Sequence, residues 1–352
     1  AGKKIAVDIS IYLYKFLSEN ALLENLYLMI SIFREHDITP IFVFDGKPPV
    51  EKNDTIAYRK KTKTTAREEY YRLKQILETI ESDADATATD DDDSGIENSS
   101  TPTPTTVVEF DEDTTIHIPS TTADIRTMME KLKKKFVILK HEHIQNAKML
   151  LQAYGMTYIE SPGEADMLCA KLVSKNMVYA CLSEDTDMFV YGCKRVLRYL
   201  SLSSWSAILY DFQEIINTLD MTTYEFRQLC IMFGCDYLPK KENGNYKNTT
   251  IFASYKMFKN YKEHLKNIIN DTSSNDDSGD NPDFYKWLLS IDKNSETEMT
   301  HYINEALKII DLFDISSYNG LELYDNIKIM NGPVDYDRLI EVMTKENFIF
   351  IT

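Results

Sequence analysis

Residues 160–189, ESPGEADMLCAKLVSKNMVYACLSEDTDMF, hold six carboxylates, four of them in two close pairs, Glu164/Asp166 and Asp185/Asp187. Between the pairs lie a small, mostly apolar helical segment and a short strand-like run, VYACLS. A helix that leads into a strand, with acids at the strand's carboxyl end, is one unit of an α/β alternation.

The same alternation extends outward. KIAVD, ITPIFVFD, MTYIES, RVLRYL and SAILYD are short β-branched or aromatic runs separated by helical patterns. They predict an α/β fold with a mostly parallel, twisted sheet covered by helices on both faces. In such sheets ligands bind beyond the carboxyl ends of the strands. Asp8 closes KIAVD, Asp45 closes ITPIFVFD, and Asp185 and Asp187 follow VYACLS. One strand-end Asp is ordinarily turn chemistry or a helix cap, but four in matched positions strain that explanation.

Glu164 has a structural alternative. Ser161-Pro162-Gly163-Glu164 reads as a capping box, with Ser161 as N-cap, Pro162 at the first helical position and Glu164 reaching back. Such a box has no use for Asp166, whereas a metal centre does. Asp236 follows TTYEFRQLCIMFG, a helix that Gly234 can cap, and its plain alternative is a turn Asp. Seven acids brought together would repel and raise one another's pKa values, and divalent cations resolve that conflict. Oxygen donors suit Mg²⁺ or Mn²⁺, and two ions about 3.5–4 Å apart can clamp the attacking and leaving oxygens of a phosphoryl displacement. No His or Cys stands in ligand spacing beside them, which argues against zinc.

With 352 residues, 43% of them hydrophobic, the chain can fill the core of one large α/β domain or two smaller ones. No apolar run reaches membrane-spanning length and no signal peptide opens the sequence, so a soluble, intracellular protein without a membrane partner is expected. Five cysteines form neither a zinc pattern nor a disulfide framework, and buried thiols in a reducing compartment are expected. The net charge of −17 opposes nucleic-acid binding at first sight. Residues 81–113, however, contain twelve acids and no Lys or Arg, and the remainder carries only −5. The flanks reverse sign: Lys52–Lys74 holds eight basic residues against three acids, and Arg126–Lys148 seven against two.

SDADATATDDDDSGIENSSTPTPTT is low-complexity and polar, and is expected to be a mobile insertion between two helical arms. The expected division is 1–80, first α/β region leading into an arm; 81–122, acidic insertion; 123–220, second arm and the remaining α/β region; 221–352, helical region. A second soft stretch, NDTSSNDDSGDNPD, interrupts the last of these, and there are no internal repeats.

Five motifs in order, VDISIYLYKF, FVFDGKPP, SPGEADMLCAKL, SEDTDMFVYG and MFGCDYLP, resemble the successive signatures of the flap endonuclease/XPG family of structure-specific 5′ nucleases. The likeness runs from about Lys3 to about Phe348. It implies a PIN-like 5′ nuclease core with a helical arch and a C-terminal helical region. It also implies two Mg²⁺ ions, replaceable by Mn²⁺, held by Asp8, Asp45, Glu164, Asp166, Asp185, Asp187 and Asp236. Lys52 and Arg59 match the basic residues that reach the scissile phosphate in the family. Tyr14 matches a ring that stacks on a substrate base, with a buried core tyrosine as the rival reading. Lys60, Lys61, Lys63, Lys131, Lys133, Lys134 and Lys135 on the arms would face phosphates, as would Lys240, Lys241 and Lys247 after the last motif; a solvated charge run is the alternative.

Three departures stand out. The sequence opens at the first strand, without the family's Met-Gly segment and first helix, so part of the active-site floor is expected to be absent. LPKKENGNYKNTTIFASYKMF replaces a glycine-rich hairpin and puts its monovalent-cation site in doubt. No sliding-clamp peptide is recognisable at the final IFIT, although a clamp partner stays open. The resemblance implies a monomer acting on DNA with a 5′ flap, nick or single-strand–duplex junction, in the nucleus if the source is eukaryotic. The readings left open are a 5′→3′ exonuclease of the family, favoured by the EAD form of the motif at Glu164–Asp166, a DNA-binding protein without catalysis, and a calcium-stabilised structural site.

Overall fold

The computed structural model describes residues 2–87, 121–238, 251–271, 283–291, 298–316, 324, 326–345 and 348. Most of the acidic insertion, and all of Lys240, Lys241 and Lys247, lie outside them. Six strands form one sheet: β1 (Lys3–Asp8), β2 (Ile38–Phe44), β3 (Thr157–Glu160), β4 (Ala180–Leu182), β5 (Arg195–Ser201) and β6 (Ser206–Asp211), in the order β3-β2-β1-β4-β5-β6. All neighbours are parallel except β5 and β6, which form an antiparallel hairpin at one edge.

The helices are α1 (Ile9–Ser18), α2 (Leu22–Glu35), α3 (Asn53–Thr87), α4 (Thr122–Lys135), α5 (His141–Ala153), α6 (Ala165–Ser174), α7 (Asp187–Val190), α8 (Phe212–Leu219), α9 (Thr223–Phe233), α10 (Ile251–Asp271), α11 (Phe284–Ile291), α12 (Glu298–Ile309) and α13 (Tyr336–Thr344). Successive strand residues point to opposite faces, so one strand feeds two cores. Ile5, Val7, Phe42 and Phe44 join a cluster with α1, α2, α5 and α13, while Ala6, Ile41 and Val43 join one with α6 to α12. Burial on both faces explains why β1 and β2 read as almost continuous apolar runs.

The chain passes from β1 outward through β2 to β3, then returns to place β4 on the other side of β1. That reversal leaves a crevice beyond the carboxyl ends of β1 and β4, where ligands of open α/β sheets bind. The register puts Asp8 opposite Val43, Val7 opposite Leu182 and Phe44 opposite Glu160, so the segments after β1, β2, β3 and β4 leave the sheet at one edge.

By its contacts the chain divides into two units, residues 1–57 with 139–352, and residues 58–138. The second contains most of α3 together with α4, joined through Ala66, Leu73, Ile125 and Leu132. Thr121 caps α4 by accepting from the Asp124 amide at 3.2 Å, and Arg126 pairs with Glu81 at 2.5 Å. Among the described residues no helix is long and apolar enough to cross a membrane. Cys169, Cys181 and Cys193 are buried, Cys230 and Cys235 half-buried, and all five are free thiols.

Candidate active site

Each carboxylate is placed by a local backbone device. Asp8 ends β1 and is 4% exposed; the Ser183 hydroxyl donates to its Oδ2 at 3.0 Å. The same Ser183 oxygen accepts from the Asp185 amide at 3.1 Å, and Asp185 Oδ1 accepts from the Asp187 amide at 2.8 Å. One serine therefore ties the loop after β4 to the end of β1.

On the other side of β1, Asp45 Oδ1 accepts from the Ala165 amide at 2.9 Å. Gly46 donates to the Gly163 carbonyl at 2.7 Å, in a contact so close that a Cβ on Gly46 would lie 1.9 Å from the Ser161 carbonyl oxygen. These contacts correct the expected capping box. Glu164 itself occupies the N-cap position of α6, with no side-chain cap bond, and Ser161 Oγ donates to the Glu164 carbonyl at 2.9 Å. The cap comes from Asp45, about 120 residues away in sequence, which frees the Glu164 side chain.

That side chain accepts hydrogen bonds on both oxygens, from Lys52 Nζ on one and from the Tyr237 hydroxyl on the other. Lys52 Nζ also lies 3.6 Å from Asp236 Oδ2 and 5.8 Å from the centre of the Tyr237 ring. Asp236 follows Gly234, which closes α9 at φ 111°, and its carbonyl accepts from Thr55 Oγ1 at 2.7 Å. Thr222 and Glu225 form a capping box at the other end of α9.

The electrostatics are those of acids held together against their repulsion. Burial, then the charge of Asp45, pushes the Asp8 carboxyl well above the usual range. Asp166 is raised by burial, then Asp8 and Asp185. Asp187 is pushed up to about 7 by burial, then Asp185 and Asp236, with Lys52 opposing. The Oδ1 atom of Asp166 is buried with no hydrogen-bond partner. A buried acceptor without a donor costs about 1–3 kcal/mol, and a bound cation would satisfy it. Hard oxygen donors, crowded negative charge and an orphaned acceptor fit a divalent cation of the Mg²⁺ type. Among the described residues no three carboxylates yet converge on one point, and Lys52 is the cation that stands among them.

Beside Glu164 and Tyr237 opens a cavity of about 400 Å³, lined also by Lys47, Pro162, Met167 and Asp311. Tyr14 on α1 is 42% exposed, whereas Tyr12 is buried. Arg59, Lys60, Lys61 and Lys63 lie on α3 within the second unit. Arg59, Lys60 and Lys61 are exposed there, while Lys63 donates to the Val137 carbonyl at 3.2 Å. Lys131, Lys133, Lys134 and Lys135 are exposed on α4, the last three in its final turn. Sequence reasoning assigned nothing to Ser183 or Tyr237. Ser183, two residues before an Asp, carried the spacing of a side-chain turn; Tyr237 had no signal beyond its place next to Asp236.

The sequence matches two family models, the XPG N-terminal domain over residues 1–66 and the XPG I-region over residues 155–236. Flap endonuclease 1 of Glossina morsitans morsitans is 28% identical over 283 residues, covering 75% of this chain and 62% of that protein. Flap endonuclease 1 of Drosophila ananassae is 32% identical over 254 residues, covering 67% of this chain and 53% of that protein. The chain thus spans between half and two thirds of the length of these relatives. Among solved structures, the catalytic core of Rad2 in complex with DNA substrate superposes with a TM-score of 0.57 at 20% identity, over 98% of this chain and 87% of that one. This likeness confirms the expected nuclease-type fold, a mostly parallel sheet flanked by helices.

Proposed function

The chain belongs to the flap endonuclease/XPG family, and from that premise we propose that it is a Mg²⁺-dependent, structure-specific 5′ nuclease. Its substrate would be DNA in which a 5′ single strand meets a duplex. The observation that carries this reading is the set of Asp8, buried, and Asp166 and Asp187, half-buried, all raised by desolvation and by neighbouring acids, with Asp166 Oδ1 buried and unsatisfied.

Asp8, Asp45, Glu164, Asp166, Asp185, Asp187 and Asp236 would hold two ions, which supply Lewis acidity at the scissile phosphate and lower the pKa of water. The chain's own residues do the rest. Ser183 links the Asp8 carboxylate to the backbone of Asp185. Asp45 caps the first turn of α6, the turn that carries Asp166 and begins at Glu164. Lys52, held between Glu164 and Asp236, would offset the charge that develops at the scissile phosphate, with Arg59 as its expected companion. The cationic residues of α3 and α4 would guide the single strand by phosphate contacts, and Tyr14 offers an exposed ring for stacking.

The test is Mg²⁺-dependent cleavage of end-labelled 5′-flap, nicked and blunt duplex DNA, beside Asp185→Asn. A single product at the flap base, absent in the variant, is expected. A ladder from a nick or blunt end would replace this reading with the exonuclease, and DNA binding without cleavage would replace it with a binding protein.

A further inference from the structure

Glu184 stands between Ser183 and Asp185, yet its carboxylate turns away from the acidic crevice. Its Oε1 accepts from the Tyr199 amide at 2.7 Å, from the Leu200 amide at 3.3 Å and from the Tyr12 hydroxyl at 3.5 Å. Its carbonyl accepts from Arg198 Nη2 at 2.8 Å, and Arg198 Nε lies 3.9 Å from its Oε2. Five contacts from one acidic residue thus reach β5 and α1, not the metal carboxylates.

The backbone of β5 accounts for them. The ladder with β6 steps from Arg198 opposite Ile208 to Ser201 opposite Ser206, so an irregularity falls at Tyr199 and Leu200. Tyr199 adopts φ +58°, a left-handed conformation that a tyrosine rarely takes. A bulge of this kind withdraws amides from the ladder and leaves them in need of an acceptor. Glu184 is that acceptor. Tyr12, the third donor, lies on the helix that begins immediately after Asp8. The residue therefore ties the Asp185–Asp187 loop to the bulge of β5 and to α1, while Ser183 ties the same loop to Asp8.

We propose that Glu184 is a positioning residue, whose carboxylate clasps the β5 bulge and thereby sets Asp185 and Asp187 opposite Asp8 for metal binding. The inference rests on the nuclease reading of those acids. Its action depends on reach, since the acceptor must span from the loop to two amides, and not on adding negative charge to the crevice.

Two conservative variants of the full chain separate reach from charge. Glu184→Gln keeps the length and an acceptor oxygen but removes the charge; Glu184→Asp keeps the charge but withdraws the carboxylate by one methylene. Mn²⁺ binding is measured by titration calorimetry without DNA, with circular dichroism to confirm folding. Outer contacts of metal ligands are typically worth about 10–100-fold in affinity. Glu184→Asp is therefore expected to bind Mn²⁺ about tenfold more weakly, with Glu184→Gln within about threefold of wild type. The reverse order, equal weakening of both, or wild-type affinity in both would overturn the proposal. Wild-type protein that binds no Mn²⁺ would overturn the nuclease reading first, and this inference with it.

Discussion

Asp8 concentrates the conflict on which the site depends. Buried at the end of β1 and surrounded by acids, it holds its proton up to about 7, as does Asp187. Both carboxyls bind protons more tightly in the folded chain than in the unfolded one, where the pKa is near 3.9. Between about pH 4 and pH 7 the native state therefore carries the extra protons, and stability falls as pH rises through that window. Without metal, the melting temperature contributed by these groups should decline from about pH 5 to about pH 7. In Asp8→Asn, where the amide oxygen can still accept from Ser183, the decline should be shallower and the neutral-pH melting temperature higher, while cleavage falls by at least about 100-fold. Thermal melts across pH, beside a cleavage assay, check both halves. An Asp8→Asn variant that melts below wild type at pH 7 would mean that repulsion is not what burdens the site.

At the scale of elements, the site depends on close passage between the ends of β2 and β3. Gly46 lies so near the Ser161 carbonyl that any side chain must push the two segments apart, and with them Asp45 from the first turn of α6. Gly46→Ala should cost about 1–3 kcal/mol, read from the urea midpoint, and should weaken metal binding as Glu164 and Asp166 shift with the helix. How much of this was legible in the sequence follows from where the partners lie. Strands buried on both faces announce themselves as apolar runs, and the acids at their ends lie where the open α/β rule puts a ligand. The cap of α6 is not legible locally, because its acceptor is Asp45, whereas Ser161, the local choice, is turned to the Glu164 carbonyl. Glu184 in the SEDTD motif gives no sequence signal of its contacts, because two of its partners are backbone amides, which leave no trace in residue identity.

At the scale of the molecule, the proposed DNA substrate would meet a chain of net charge −17 through the few surfaces that are basic. Lys131, Lys133, Lys134 and Lys135 form one such surface on α4. Each phosphate contact adds about 0.7–0.9 to the slope of log affinity against log salt. Replacing all four lysines with Gln should lower the slope for flap DNA by about 3, weaken binding most at low salt, and leave the melting temperature within about 2 °C, because these exposed side chains support no core. Fluorescence anisotropy over a salt series measures the slope; an unchanged value would place the DNA elsewhere. Lys52 adds a property of another kind. Its ammonium, tethered between Glu164 and Asp236, is a built-in competitor whose effective concentration is set by the tether and not by the solution. An arriving dication must exchange with it, so apparent metal affinity is the difference between two bindings. Lys52→Met should accordingly bind Mn²⁺ more tightly by calorimetry while turning over more slowly: one residue would restrain the occupancy of the site on which its proposed part in cleavage depends.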